Sequence, residues 1–271
     1  MLSRRLIIAA PLAVPFIREA RAQEAGTSAR PLRVGVTAGV HAQVLERVEA
    51  IVRPQGLVMK VTEFSDFIQP NAALSGGDID ANTYQHQPFL DQQVKDRGYK
   101  FVSVGKTVMT AMAVFGSKVK LAADLPKGAR VAIPNDPTNG GRALVLLAEA
   151  GLITLRNGGD FRSSTLDILT NPKDLRIVEL DAAQIARSLQ DLDAGAVTGN
   201  YAIAAGLDPL HDSLIVEKAG AALIRQYCCL VVVRQGDETK PWAKLLAAGY
   251  ADASLKSWVE ATFKGAVIPG A

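Results

Sequence analysis

Cysteine is nearly absent from this 271-residue sequence, and the two that occur, Cys228 and Cys229, are neighbours. Adjacent cysteines pair only through a strained ring, so no disulfide framework is available. Within the run "CCLVVV" they read as small buried thiols. Histidine is equally scarce: His41, His86 and His211 are scattered, with no metal-ligand spacing between them. The P-loop, H-E-x-x-H, G-x-S-x-G and a G-x-G-x-x-G after a strand are all missing, which removes the common nucleotide, zinc-protease and hydrolase signatures. Neither a metal nor a cofactor is expected.

A surplus of one charge is missing too. The formal net charge of +3 depends on the first 22 residues. "MLSRRLIIAAPLAVPFIREARA" carries Arg4 and Arg5, an apolar run from Leu6 to Ile17, and a small-x-small site at Ala20-Arg21-Ala22, the layout of a cleavable secretory signal. "SRRLI" also loosely fits a twin-arginine signal. The apolar run is too short for a bilayer span and is broken by Pro11 and Pro15. Without residues 1–22 the chain loses Arg4, Arg5, Arg18, Arg21 and Glu19, leaving 26 basic against 26 acidic residues. That balance speaks against nucleic acid or an anionic membrane as partner. No cysteine lies near residue 20, so lipid attachment to an N-terminal cysteine is not expected.

What is present is an alternation of short apolar runs and amphipathic stretches. "LRVGVTA", "LVMKVTEF", "KFVSVGKTV", "ARVAIPN", "LRIVEL" and "AGAVTG" read as strands, with helices between them that end at Gly56, Gly98 or Gly151. This predicts an α/β fold with mainly parallel sheets. A polar connector near residue 117 marks a second unit, and the late run "YCCLVVVR" can return to the first. The expected layout is one lobe of residues 31–112 with 224–271 and a second of 113–223. Ligands in such folds sit at the carboxyl ends of strands.

Two groups of residues stand at such ends. In the first unit Phe64 and Phe67 in "EFSDFIQPN", and Tyr84, His86 and Phe89 in "ANTYQHQPF", predict an aromatic wall. In the second, "PNDPTNGGRALVLL" places Asn139 as a helix cap and Gly140 and Gly141 as a close approach for a ligand. It also puts Arg142 in the first helical turn. A cation beside the positive end of a helix calls for an anion. "TGNYA" adds the hydrogen-bonding Thr198 and Asn200. Salt-bridging and helix capping are the plainer readings of Arg142 and Asn200. Taken together, the groups suit a small amphipathic anion.

"GDIDANTYQHQPFLDQQVKDRGYK", "VAIPNDPTNGGRALVLL", "LRIVELDAAQIARSL" and "GNYAIAAGL" resemble, in order and spacing, the NlpA/MetQ-type family of methionine-binding lipoproteins. The resemblance implies a two-lobed type II periplasmic-binding-protein fold with two crossing segments. It also implies a non-enzymatic role, delivering methionine or a relative to an ABC permease and its ATPase, with a monomeric carrier expected. By motif position Phe67, Tyr84, His86 and Phe89 line the side-chain pocket, Arg142 takes the ligand carboxylate with Asn139, and Asn200 meets the head group. Three features depart from the family pattern: there is no lipid-bearing cysteine, Thr198 stands where Asn is usual, and Cys229 replaces an Asn that holds the head group. A thiol is a weak donor and acceptor, so that last change costs about 1–3 kcal/mol, or roughly ten- to a hundredfold in affinity. The segment around Ala111 and Met112 also lacks the family's aromatic-proline pattern, which predicts a roomier pocket there. The alternatives are a different small carboxylate, a short peptide, or a thiol-dependent enzyme using Cys229 and His86.

Overall fold

The computed structural model describes residues 24–270, apart from 219, 221 and 223–225; the expected signal at 1–22 lies outside the described residues. The first half of the chain forms β1 (Leu32–Thr37), α1 (Val40–Val52), β2 (Met59–Phe64), α2 (Gln69–Gly76), β3 (Ala81–Asn82), α3 (Gln87–Arg97), β4 (Phe101–Lys106), β5 (Val108–Thr110) and β6 (Ala113–Gly116). It continues with β7 (Arg130–Pro134), α4 (Asn139–Glu149), β8 (Thr154–Leu155), β9 (Ile168–Thr170), β10 (Arg176–Leu180), α5 (Ala182–Ser188), β11 (Ala194–Val197), α6 (Gly199–Ala204) and β12 (Ile215–Val216). The described elements then end with β13 (Leu230–Arg234), α7 (Pro241–Tyr250), α8 (Ala253–Phe263) and β14 (Val267–Pro269). Among the described residues no helix is long and apolar enough to cross a membrane.

Two five-stranded sheets form the two lobes, ordered β2-β1-β3-β13-β4 and β10-β7-β11-β6-β12. Each is mixed, where the strand–helix alternation predicts mainly parallel pairing. In the first sheet β1 runs parallel to β2 and β3, while β13 runs against β3 and β4. In the second, β7 runs parallel to β10 and β11, while β6 runs against β11 and β12. The lone reversed strand is in each case the one that arrives from the other lobe. It enters at the cleft, where its neighbours end, and must run away from it. This connection between distant segments leaves no local trace in hydrophobic periodicity.

The side-chain alternation of the strands supplies both faces of each sheet. On β13, Val231 and Val233 pack with Val44, Val48 and Leu246 of α1 and α7. Leu230 and Val232 point the other way, to Leu74 and Leu90 of α2 and α3. On β7, Val131 and Ile133 meet Leu144 and Leu147 of α4, and Ala132 meets Ile185 of α5. The α1 stripe of Val40, Val44, Leu45, Val48 and Val52 follows the helical repeat. Phe64, expected on the aromatic wall, packs instead against the Leu74–Ile79 cluster of the first lobe.

Candidate functional site

Between the lobes lies a cavity of about 370 Å3, the space at its open mouth included. Nine of the residues singled out in the sequence line it, Phe67, Tyr84, His86, Phe89, Asn139, Arg142, Thr198, Asn200 and Cys229, while Phe64, Gly140 and Gly141 do not. They come from the loops and first helical turns that follow β2, β3, β7 and β11, and from the approach to β13. On the first-lobe side the Phe67 ring lies 6.1 Å from Tyr84 and 6.2 Å from Phe89. The Tyr84 hydroxyl donates to the Phe67 carbonyl at 2.7 Å, which leaves the ring faces and edges to the cavity as apolar surface.

His86 is the N-cap of α3. Its Nδ1 accepts from the Phe89 amide at 3.2 Å, so the other ring nitrogen, Nε2, carries the proton and faces Asn139 Oδ1 at 3.2 Å. Burial, with the Arg142 charge nearby, lowers its pKa to about 3, and the ring is neutral. His41, fully buried, falls to about 4 through desolvation. The His86–Asn139 bond spans the cleft, as does the Tyr201 hydroxyl donating to the Ser65 carbonyl at 3.0 Å.

On the second-lobe side the expectation of a helix cap at Asn139 is corrected. Asn139 is the first residue of α4, and the Asp136 carboxylate does the capping, accepting from the amides of Thr138 and Asn139 at 3.2 and 2.9 Å. Gly140 and Gly141 do not make room for a ligand. A Cβ on Gly141 would stand 2.3 Å from the Phe161 carbonyl oxygen, and one on Gly140 would stand 2.8 Å from that of Pro134. The glycines let the chain approach itself.

Arg142 presents the larger surprise, because an anion for it is supplied within the chain. Its Nε and Nη2 donate to the two Glu217 oxygens at 2.6 and 2.5 Å, Nη2 also reaches the Thr110 carbonyl at 3.1 Å, and the Tyr227 ring lies 4.1 Å from Cζ. Both side chains are 5% exposed. Burial works against the guanidinium charge, but the Glu217 carboxylate outweighs it and raises the Arg142 pKa. Thr198 Oγ1 and Asn200 Nδ2, by contrast, are buried in the cavity wall with no hydrogen-bond partner among the described residues. Neither caps α6 through its side chain: Thr198 holds the N-cap position without such a bond.

Residues 32–271 match the model of the NlpA lipoprotein family. The chain belongs to the NlpA lipoprotein family. It is 40% identical over 242 residues to the D-methionine-binding lipoprotein MetQ of Salmonella typhi, covering 88% of both chains. Lipoprotein 28 of Escherichia coli K12 is 36% identical over 264 residues, 96% of each chain. Among solved structures, a nutrient-binding protein from Burkholderia cenocepacia bound to methionine is 44% identical, with a TM-score of 0.82 over 88% of this chain and 98% of that one. The methionine-binding protein MetQ is 39% identical at a TM-score of 0.84, covering 88% and 97%.

In this NlpA-family chain Cys229 takes a position at the crossing. Its backbone bridges His86, and its Sγ lies 3.1 Å from the Tyr84 carbonyl and 4.0 Å from His41 Nε2. Both cysteines are free thiols, and burial raises the pKa of each, Cys228 to about 11 and Cys229 further. A nucleophilic thiolate needs the opposite shift, and His86 has both ring nitrogens engaged elsewhere. Met112 is fully buried in the second-lobe core, and neither it nor Ala111 lines the cavity, so no extra room opens there. Sequence reasoning missed Gln85, Thr110 and Tyr227 as lining residues, noted His41 only as a histidine without metal-ligand spacing, and missed Glu217 behind Arg142. Glu217 lies 75 residues from Arg142 in a stretch with no motif, so only the folded chain brings the pair together.

Proposed function

We propose that this protein is the solute-binding component of an ABC importer and captures methionine, or an amino acid close to it, between its two lobes. The observation that most directly supports this is the set of buried groups with no partner among the described residues, Thr198 Oγ1, Asn200 Nδ2 and His41 Nδ1, in a cavity that Arg142, Phe67, Tyr84 and Phe89 also line. A buried polar atom without a partner costs roughly 1–3 kcal/mol, and a ligand head group removes that cost while an apolar side chain fills the aromatic end. Relatives named for methionine binding, with 88% of this chain matched, support the same ligand class.

The reading includes no turnover, residues 31–112 with 224–271 and 113–223 as the closing lobes, a monomeric carrier, and a permease with its ATPase as partners. It also includes export and release into the periplasm. Here the relatives' names point to a lipid anchor, while the only cysteines in the sequence, Cys228 and Cys229, are buried in the fold. Metabolic labelling with a fatty acid separates the two. The binding itself is tested by calorimetric titration with L- and D-methionine, other amino acids and methionine dipeptides. Methionine should bind, and Asn200→Ala should weaken it about tenfold or more. Absence of heat with every amino acid would remove the reading.

A further inference from the structure

Among the described residues, Arg142–Glu217 is the ion pair in which both partners are buried. Every other pair has at least one side chain 30% or more exposed. Glu217 does not line the cavity. It lines a separate hollow that shares only Arg142 and Tyr227 with it, so it meets the guanidinium from outside the ligand space. The carboxylate is itself held: Oε2 accepts from the Met112 amide at 2.6 Å as well as from Nη2. Nε and Nη2 of Arg142 are therefore committed to the protein, and Nη1 is the guanidinium nitrogen with no partner among the described residues.

The consequence is a charge count. The cavity wall contains one fixed positive charge, Arg142, and one fixed negative charge stands directly behind it. The remaining titratable groups in the wall are His41, His86, Tyr84, Tyr227 and Cys229. Burial keeps all five neutral. The buried charges of the site cancel, and a further carboxylate behind the wall, Asp136 on Asn139, is half-exposed and screened by solvent. Such a site disfavours a ligand that brings an uncompensated charge into it, because burying an unpaired ion is far costlier than burying a pair. Resting on the binding function proposed above, we propose that Glu217 is a specificity-determining positioning residue. By neutralising Arg142 and turning Nη1 to the ligand, it tunes the cavity to zwitterions and against anions of the same shape.

The ligand pair that isolates this effect differs only at the ammonium. Methionine is a zwitterion, and its 2-hydroxy analogue, 2-hydroxy-4-(methylthio)butanoate, is an anion of nearly the same volume. Wild-type protein should bind methionine at least a hundredfold more tightly than the hydroxy acid. Glu217→Gln, which keeps the shape and an oxygen for the Met112 amide, should shrink that ratio at least tenfold, and Glu217→Asp should return it towards wild type. A merely structural role would weaken both ligands together and leave the ratio unchanged, which overturns the proposal. Should Glu217→Gln fail to fold, equal affinity of the wild-type protein for the two ligands also overturns it. Failure of wild type to bind methionine at all would instead sink the binding function, so the two ideas fail on different results.

Discussion

His41 and His86 are the residues whose burial has the clearest thermodynamic consequence. Both have folded-state pKa values below the ordinary 6.5, at about 4 and about 3. Between pH 6.5 and those values the unfolded chain binds more protons than the folded one, so stability is fully present above pH 6.5 and falls with falling pH. At pH 5 each histidine should have cost about 2 kcal/mol relative to pH 7. Urea denaturation at the two pH values checks this, and a His41→Gln/His86→Gln double variant should show a flatter pH slope than wild type. Cys229 carries a second prediction. Its Sγ sits 3.1 Å from the Tyr84 carbonyl, within the cavity wall. Cys229→Asn places an amide there, with two donors and an acceptor. Methionine affinity should rise by about tenfold in calorimetry; an unchanged or weaker affinity would mean the thiol is the better fit for this protein's ligand.

Helix α4 sets the second-lobe side of the site, and its first turn depends on close backbone packing. Gly141 lies under the Phe161 carbonyl, with the Ser163 carbonyl near as well. Backbone cannot give way as a flexible side chain can, so Gly141→Ala should destabilise the protein by about 1–3 kcal/mol and shift Arg142 with the helix start. Thermal unfolding checks the first effect and ligand affinity the second. A similar contact holds at α6, where a Cβ on Gly199 would meet the Ala111 carbonyl oxygen at 2.5 Å. Gly140 and Gly141 looked in the sequence like a close approach for a ligand. The structure shows that they, like Gly199, admit neighbouring loops, which in turn brace Arg142, Thr198 and Asn200.

At the scale of the molecule, the two lobes meet through His86–Asn139 and Tyr201–Ser65 hydrogen bonds and through the crossing strands β6 and β13. A ligand contacting both lobes stabilises the closed arrangement by its differential affinity for that state. At a hundredfold excess over Kd, methionine should add about 2.7 kcal/mol to stability. In a chain of this size that is a rise in melting temperature of roughly 5–10 °C. Scanning calorimetry with and without ligand reads it directly, and an unchanged transition would show that methionine does not select the folded, closed state.

Local pattern was sufficient for much of this protein. Apolar runs of strand length, helices ending at Gly98 and after Glu149, and loop motifs rich in Asn, Tyr, His and Phe identified the α/β fold and nine residues that line one cavity. Those features are legible because strand and helix periods and turn chemistry act over a few neighbouring residues. The reversal of β6 and β13, the pairing of Arg142 with Glu217, the removal of Phe64 to the core and the role of Gly141 all escaped that reading. Each depends on segments far apart in the chain meeting at the cleft. The sequence by itself determined which side chains stand at strand ends; only the tertiary structure decided which charges face each other there, because a buried ion pair is made by long-range packing, not by spacing.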